Sequence, residues 1–119
     1  MIEGIVRTVS TLTFEPGQTT DDYLAVFSAL SEPLRIRILH MMTRRPDGEI
    51  PFTLLEEELP VGKSTISYHV GILRRAGLLR VRKAGRNYFY RLRENRLRAC
   101  APAFLEHLRE IENLEISAA

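Results

Sequence analysis

The chain has one cysteine, Cys100, and no tryptophan in 119 residues. A single thiol excludes an internal disulfide framework and any thiolate-rich zinc site within one chain. No stretch approaches the ~18 uninterrupted apolar residues that a membrane span needs. The opening MIEGIVRTVSTLTF carries an early glutamate where a signal peptide needs a solid apolar block. A cytoplasmic protein with no membrane partner is therefore expected. A catalytic grouping is also missing. The three histidines fall on separate segments, and no serine has a base with its own orienting partner nearby, so neither enzyme activity nor a cofactor is expected. What is present suits one folded domain: 45% hydrophobic and 27% charged residues are ordinary globular values, and the length leaves room for one core.

The net charge of +2 averages over very uneven parts. Residues 1–60 carry five Lys/Arg against ten Asp/Glu, whereas residues 61–98 carry eleven Lys/Arg against one acid, Glu94. Residues 99–119 return to a balance of −3. An excess of +10 within about 40 residues is an electrostatic footprint for a polyanion.

No internal repeat or low-complexity segment interrupts the chain. Residues 1–19 end in the turn signal Glu15-Pro16-Gly17 and are expected to form an arm, with one domain over 20–115. Thr20-Asp21-Asp22 offers a cap and first-turn acids for a helix carrying Tyr23, Leu24, Val26, Phe27 and Leu30. Ser31-Glu32-Pro33 opens another, with Leu34, Ile38 and Met41 on one face and an end near Arg44. Phe52 to Leu59 reads as a short helix closed by Pro60-Val61-Gly62. From Lys63 to Ala76 the wheel puts Ile66, Val70 and Leu73 on one narrow face. Ser64, Ser67, Tyr68, Gly71, Arg74 and Arg75 lie opposite, a small, hydroxylated surface that turns cationic at its end. His69 falls beside the apolar stripe and reads as a structural histidine. Gly71 costs the helix about 1 kcal/mol against alanine, which points to a close approach there. Gly77 suits a C′ position. Leu78–Lys83 and Asn87–Leu92 alternate as strands around Ala84-Gly85-Arg86, a hairpin with a basic tip. Leu97, Ala101, Phe104, Leu108 and Ile111 then repeat as the seam of a long helix that Pro102 should kink or split near Arg98.

Helix, turn, helix and basic hairpin is the order of a winged helix-turn-helix: mainly α with a small β-hairpin wing. Two stretches carry a closer likeness, Leu24-Ala25-Val26-Phe27-Ser28-Ala29-Leu30-Ser31-Glu32-Pro33-Leu34-Arg35-Ile36-Arg37-Ile38-Leu39 and Lys63-Ser64-Thr65-Ile66-Ser67-Tyr68-His69-Val70 running on to Leu79. In these the chain resembles the ArsR-type bacterial transcriptional repressors over about residues 22–112. The resemblance implies a homodimer on an inverted-repeat operator in double-stranded DNA, a recognition helix in the major groove, and a wing on the flanking backbone or minor groove. It also implies an effector that weakens DNA binding. On this reading Ser64, Ser67 and Tyr68 face base edges and nearby phosphates, with Thr65 in the same DNA-binding set, and Lys63, Arg74 and Arg75 flank them on phosphates. Arg82, Lys83 and Arg86 reach along the backbone from the wing, where an arginine could also enter a narrow minor groove. Tyr23, Phe27 and Leu30 would meet Leu97, Phe104, Leu108 and Ile111 at the dimer seam.

The family's sensors are altered here. Where many members have a cysteine pair before the motif, this chain aligns Pro51 and Thr53. The family's C-terminal metal site, Asp-x-His followed by His-x-x-Glu, becomes Glu94-x-Arg96 and His107-x-x-Glu110. An arginine cannot ligate a metal, so the metal is expected to be lost. Either Arg96 pairs with Glu110 or His107 across the dimer in its place, or these are unrelated surface residues at coincidental spacing. The effector is left unassigned, a metal- or redox-responsive repressor using the degenerate site being one alternative. Cys100 near the seam reads as packing, with an intermolecular disulfide as its redox option. Glu56 replaces a usual alanine and either loosens the motif or points to solvent. The rival from another class is a winged-helix interaction module that docks an acidic protein on Tyr88, Phe89 and the basic hairpin.

Overall fold

The computed structural model describes residues 19–112. The expected arm and residues 113–115 therefore lie outside the described residues, apart from Thr19. The elements run α1 (Thr20–Ala29), α2 (Pro33–Thr43), β1 (Glu49–Pro51), α3 (Phe52–Glu58), α4 (Lys63–Arg75), β2 (Leu79–Ala84), β3 (Asn87–Leu92), α5 (Glu94–Cys100) and α6 (Pro102–Glu110).

Local chemistry sets most of these boundaries. The cap of α1 falls one residue earlier than expected, on Thr19 rather than Thr20. The Thr19 hydroxyl accepts from the Asp22 amide at 3.3 Å, and the Asp22 carboxylate accepts from the Thr19 amide at 2.7 Å, a reciprocal capping box. The second helix is capped by Glu32, whose Oε2 accepts from the Leu34 and Arg35 amides at 2.7 and 3.1 Å ahead of Pro33. Pro102 divides the last helix at Ala101, three residues beyond the expected point near Arg98. The residue before a proline is driven out of the helical region, and Ala101 sits at φ −147 and ψ 73.

The sheet is larger than the expected hairpin. Three residues ahead of α3 form β1, so the antiparallel order is β1-β3-β2, with Ile50 opposite Tyr90 and Val81 opposite that same residue on the other side. The hairpin itself closes through Gly85 at φ +62 between Ala84 and Asn87. One apolar core joins Val26 and Ala29 of α1, Ile38, Leu39 and Met42 of α2, Ile66, Val70 and Leu73 of α4, Ile50 and Tyr90 of the sheet, and Leu97, Leu105 and Leu108 of the last two helices.

That core corrects the expected dimer seam. Leu97 and Leu108 are fully buried inside the single chain and pack within its own core, beyond the reach of a partner. Ile111 lies past the end of α6, where its carbonyl accepts from His40 Nε2 at 2.8 Å. Periodic apolar spacing shows that a stripe is covered but not by which chain. Among the described residues no helix is long and apolar enough to cross a membrane.

Gly77 ends α4 as expected, at φ +79 with its amide bonded to the Arg74 carbonyl at 2.9 Å. A Cβ there would sit 3.1 Å from Arg96 Cζ. Gly77→Ala is expected to cost about 1–2 kcal/mol from the left-handed backbone alone and to push Arg96 aside. Urea unfolding at neutral pH checks it, and an unchanged midpoint would count against the assignment.

Candidate nucleic-acid interface

The fourth helix has two chemically opposite faces. Ile66, Val70 and Leu73 are buried, while Lys63, Ser64, Thr65, Ser67, Tyr68, Arg74 and Arg75 are all exposed. Tyr68 is 61% exposed, a large ring held in solvent on a helix whose other side is anchored in the core. The helix begins at Gly62 without any side-chain cap, which leaves its first amides available to an anion. Gly71 does have a close neighbour, but from within the chain: the Arg75 guanidinium folds back over it, 3.1 Å from where a Cβ would stand.

The wing contributes its own cations unequally. Arg82, although exposed, is paired across the face of the sheet, donating to Glu49 at 2.7 and 3.2 Å and lying 4.4 Å above the Phe89 ring. This bond to Arg82 holds the Glu49 carboxyl below its ordinary pKa. Lys83 and Arg86, nearer the tip, have no carboxylate partner among the described residues; Lys83 rests 5.6 Å from the Tyr88 ring centre. Of the predicted set, Lys63, Ser67 and Arg86 line one groove of about 410 Å³, where Lys63 and Ser67 of α4 face Arg86 and Tyr88 of the wing. Glu56, exposed on α3, lines the same groove and points to solvent. Arg74 and Arg75 stand apart, at the other end of the recognition helix.

Behind this face lies a buried polar junction that only His69 hinted at. Arg35 of α2 donates through Nε to the Ala29 carbonyl at 2.8 Å and through Nη2 to the Ser28 carbonyl at 3.3 Å. Its Nη1 donates to His69 Nδ1 at 3.0 Å, which makes His69 the acceptor and therefore neutral. Glu32 stands 3.9 Å from the same nitrogen, and Tyr68 meets the imidazole edge-on at 5.2 Å. The end of α1, the start of α2 and the middle of the recognition helix are tied at one point.

Burial holds the His69 pKa below its ordinary value, with Arg35 adding to the shift and Glu32 opposing it. The unfolded chain therefore binds the proton more readily, so this junction stabilises the fold fully above the unfolded value near 6.5. That stability is lost as pH falls toward and through the depressed folded value. His69→Gln retains an acceptor and does not titrate. Its melting temperature should fall less than that of the parent protein between about pH 7 and pH 5; parallel curves would rule out His69 as the titrating group.

The degenerate metal constellation is not gathered within the chain. Glu94 is engaged by Arg98 at 3.6 Å and by Arg109, while the exposed His107 lies against Phe104. Within its own chain Arg96 approaches Asp22 of α1 at 3.9 Å and covers Gly77; the expected pairing with Glu110 or His107 involves a second copy. Among the described residues, no group of three or more His, Cys, Asp or Glu side chains could hold a metal ion. Cys100 is half-buried against the core.

A three-stranded wing behind a helix-turn-helix is the winged helix-turn-helix class. Comparison with known proteins is specific within it. Residues 30–82 match the family model described as "Helix-turn-helix domain". The transcriptional repressor SmtB homolog of Synechocystis sp. is 32% identical over 84 residues, covering 71% of this chain and 61% of that protein, so the match spans less than two thirds of its length. The HTH-type transcriptional regulator YceK of Bacillus subtilis is 37% identical over 84 residues, covering 70% of this chain and 82% of that protein. Among solved structures, an ArsR-like transcriptional regulator from Rhodococcus sp. RHA1 superposes with TM-score 0.61 at 29% identity, over 73% of this chain and 79% of the other. HlyU from Vibrio cholerae gives 0.60 at 28%, over 76% and 94%. The chain belongs to the ArsR-type family of helix-turn-helix transcriptional regulators. That family consists of DNA-binding regulators, not enzymes.

Proposed function

We propose that the chain represses transcription by binding an inverted-repeat operator as a homodimer. The observation that carries this reading is the outer face of α4: hydroxyls at Ser64, Thr65 and Ser67 and the 61%-exposed Tyr68, with Lys63 at one end, Arg74 and Arg75 at the other, and Arg86 across the groove. Hydroxyls on a helix in the major groove donate to or accept from base edges, and the flanking cations neutralise phosphates. Lys83 joins Arg86 on the flanking backbone, whereas Arg82 acts through the sheet it braces.

Dimerisation is proposed through α1 rather than through the buried leucines. Leu24 and Phe27 are 58% and 49% exposed, and Tyr23 packs its ring 6.2 Å from that of Phe27. Large apolar side chains so exposed along one helix suit a partner helix. Leu30, Phe104 and Ile111, each half-buried, extend the same seam. A two-fold dimer reads half-sites about one helical turn apart, or a multiple of it.

Selection of bound duplexes from a random library by the purified protein tests the proposal. A recovered inverted repeat supports it, and recovery of unrelated sequences contradicts it. Phe27→Glu should yield a monomer by sedimentation and weaken operator binding; an unchanged dimer would move the interface elsewhere.

A further inference from the structure

A second basic surface lies at the root of the wing, away from the recognition helix. It is a pocket of about 480 Å³ lined by Arg45 after α2, Arg80 of β2, Arg91 of β3, Arg93 before α5 and Arg109 of α6, with Asp47 and Glu94 as its acids. No residue of α4 or of the hairpin tip contributes to it. Five guanidinium groups against two carboxylates leave a formal excess of three positive charges.

The sheet register makes the excess sharper. Arg80 and Arg91 stand directly opposite each other across the β2–β3 ladder, an arrangement in which like charges destabilise the pair. Among the described residues neither is held in an ion pair, although the Arg91 charge acts on the Asp47 and Glu49 carboxylates. Asp47 accepts from the Glu49 amide at 3.0 Å, and Glu94 holds Arg98 and Arg109. Arg45 is steadied at the rim by its own Nε bond to the Glu49 carbonyl at 3.1 Å. Arg91 also faces Glu49 on β1, but that carboxylate is bonded to Arg82 and Arg80 has no carboxylate opposite it, so the facing pair leaves positive charge for an external anion.

The lining also narrows the class of anion. The volume lies within the ~300–1,000 Å³ range of small-molecule sites. Planar guanidinium forks match phosphate oxygens in bidentate fashion. No lining residue is aromatic, so nothing is offered for a base to stack on. We infer that this pocket binds a small, multiply charged phosphate compound, with Arg80 and Arg91 as its paired ligands.

Thermal unfolding and calorimetric titration with inorganic pyrophosphate test this, against sodium chloride of matched ionic strength. The melting temperature of the parent protein should rise saturably with pyrophosphate, as binding to the folded state requires. The double variant Arg80→Thr, Arg91→Thr removes both the repulsion and the facing of Arg91 with Glu49, so its own melting temperature without anion is the baseline for its response. Its pyrophosphate affinity should drop at least about tenfold, the scale of a lost charged hydrogen bond. Arg80→Gln alone provides a milder variant if the double one folds poorly. Its duplex affinity and salt dependence should match those of the parent.

Absence of saturable binding by the parent, or an equal response from the variants, would overturn the inference. So would a variant that loses duplex affinity with a shallower salt slope, because the pair would then belong to the DNA surface.

Discussion

Leu73→Ala is expected to remove about 2–5 kcal/mol of folding stability, the usual result of emptying a fully packed leucine site. Leu73 is fully buried beneath the recognition helix, in the cluster that also takes in Ile66, Val70 and Leu78. Against a net stability of roughly 5–15 kcal/mol, that is a large share. The melting temperature should fall by about 4–8 °C per kcal/mol in a domain of this size, and DNA binding should fail on warming well before it does in the parent. Tyr68→Ala on the same helix supplies the control. With its ring 61% exposed, its loss should change stability by no more than about 0.5 kcal/mol. Circular dichroism melts of the two variants test the orientation of α4 directly. Equal destabilisation would mean that the helix is turned differently about its axis.

The second large effect is on affinity. Removing Lys83 and Arg86 together is expected to weaken binding to every duplex by about ten- to a hundredfold, about 1.4 kcal/mol per decade. The log–log dependence on salt should become shallower by about 0.9 for each phosphate that is no longer neutralised. Sequence preference should survive, because those side chains supply charge and do not read base identity. Ser67→Ala should do the reverse, altering which base pairs are preferred with little change in salt slope. Arg82→Ala is expected to differ from both. With its guanidinium on Glu49 and over Phe89, its removal should loosen the β1 edge of the sheet more than it weakens the hold on phosphates. Fluorescence anisotropy with labelled duplexes at several salt concentrations separates the three. A wing variant that changed preference but not salt slope would reverse the assigned roles.

Much of this site was legible in the sequence because its signals are local. The wheel from Lys63 to Ala76 divides cleanly into the buried Ile66-Val70-Leu73 stripe and the exposed hydroxyl face. Gly77 and Gly85 mark turns that need positive φ, and both have it. The features that escaped are those that depend on distant partners. The strand β1 has only Glu49, Ile50 and Pro51, too few for an alternation to register, and exists because Tyr90 and its neighbours on β3 pair with it. Leu97 and Leu108 show an apolar repeat, but the repeat is the same whether the chain covers itself or meets a second copy. The altered metal motif concealed a similar ambiguity, since nothing near Arg96 in the sequence announces Asp22 or Gly77 as its neighbours. Arg80 and Arg91 gave only a charge excess until the sheet register set them face to face, and Arg45 and Arg109 sit in stretches that are net acidic in sequence.

Uneven charge also separates the two classes of function the sequence left open. A protein-docking module would use Tyr88, Phe89 and the basic hairpin against an acidic partner. Yet Phe89 is half-buried beneath Arg82, and Tyr88 lines the groove shared with α4.

The most direct test is equilibrium binding of the purified protein to a library-selected duplex and to a scrambled duplex across a range of salt concentrations. The account predicts a linear log–log fall of about −0.9 per neutralised phosphate on both duplexes. The selected sequence should bind at least ~10³-fold more tightly at physiological salt. A flat salt response with equal affinity for the two duplexes would contradict it.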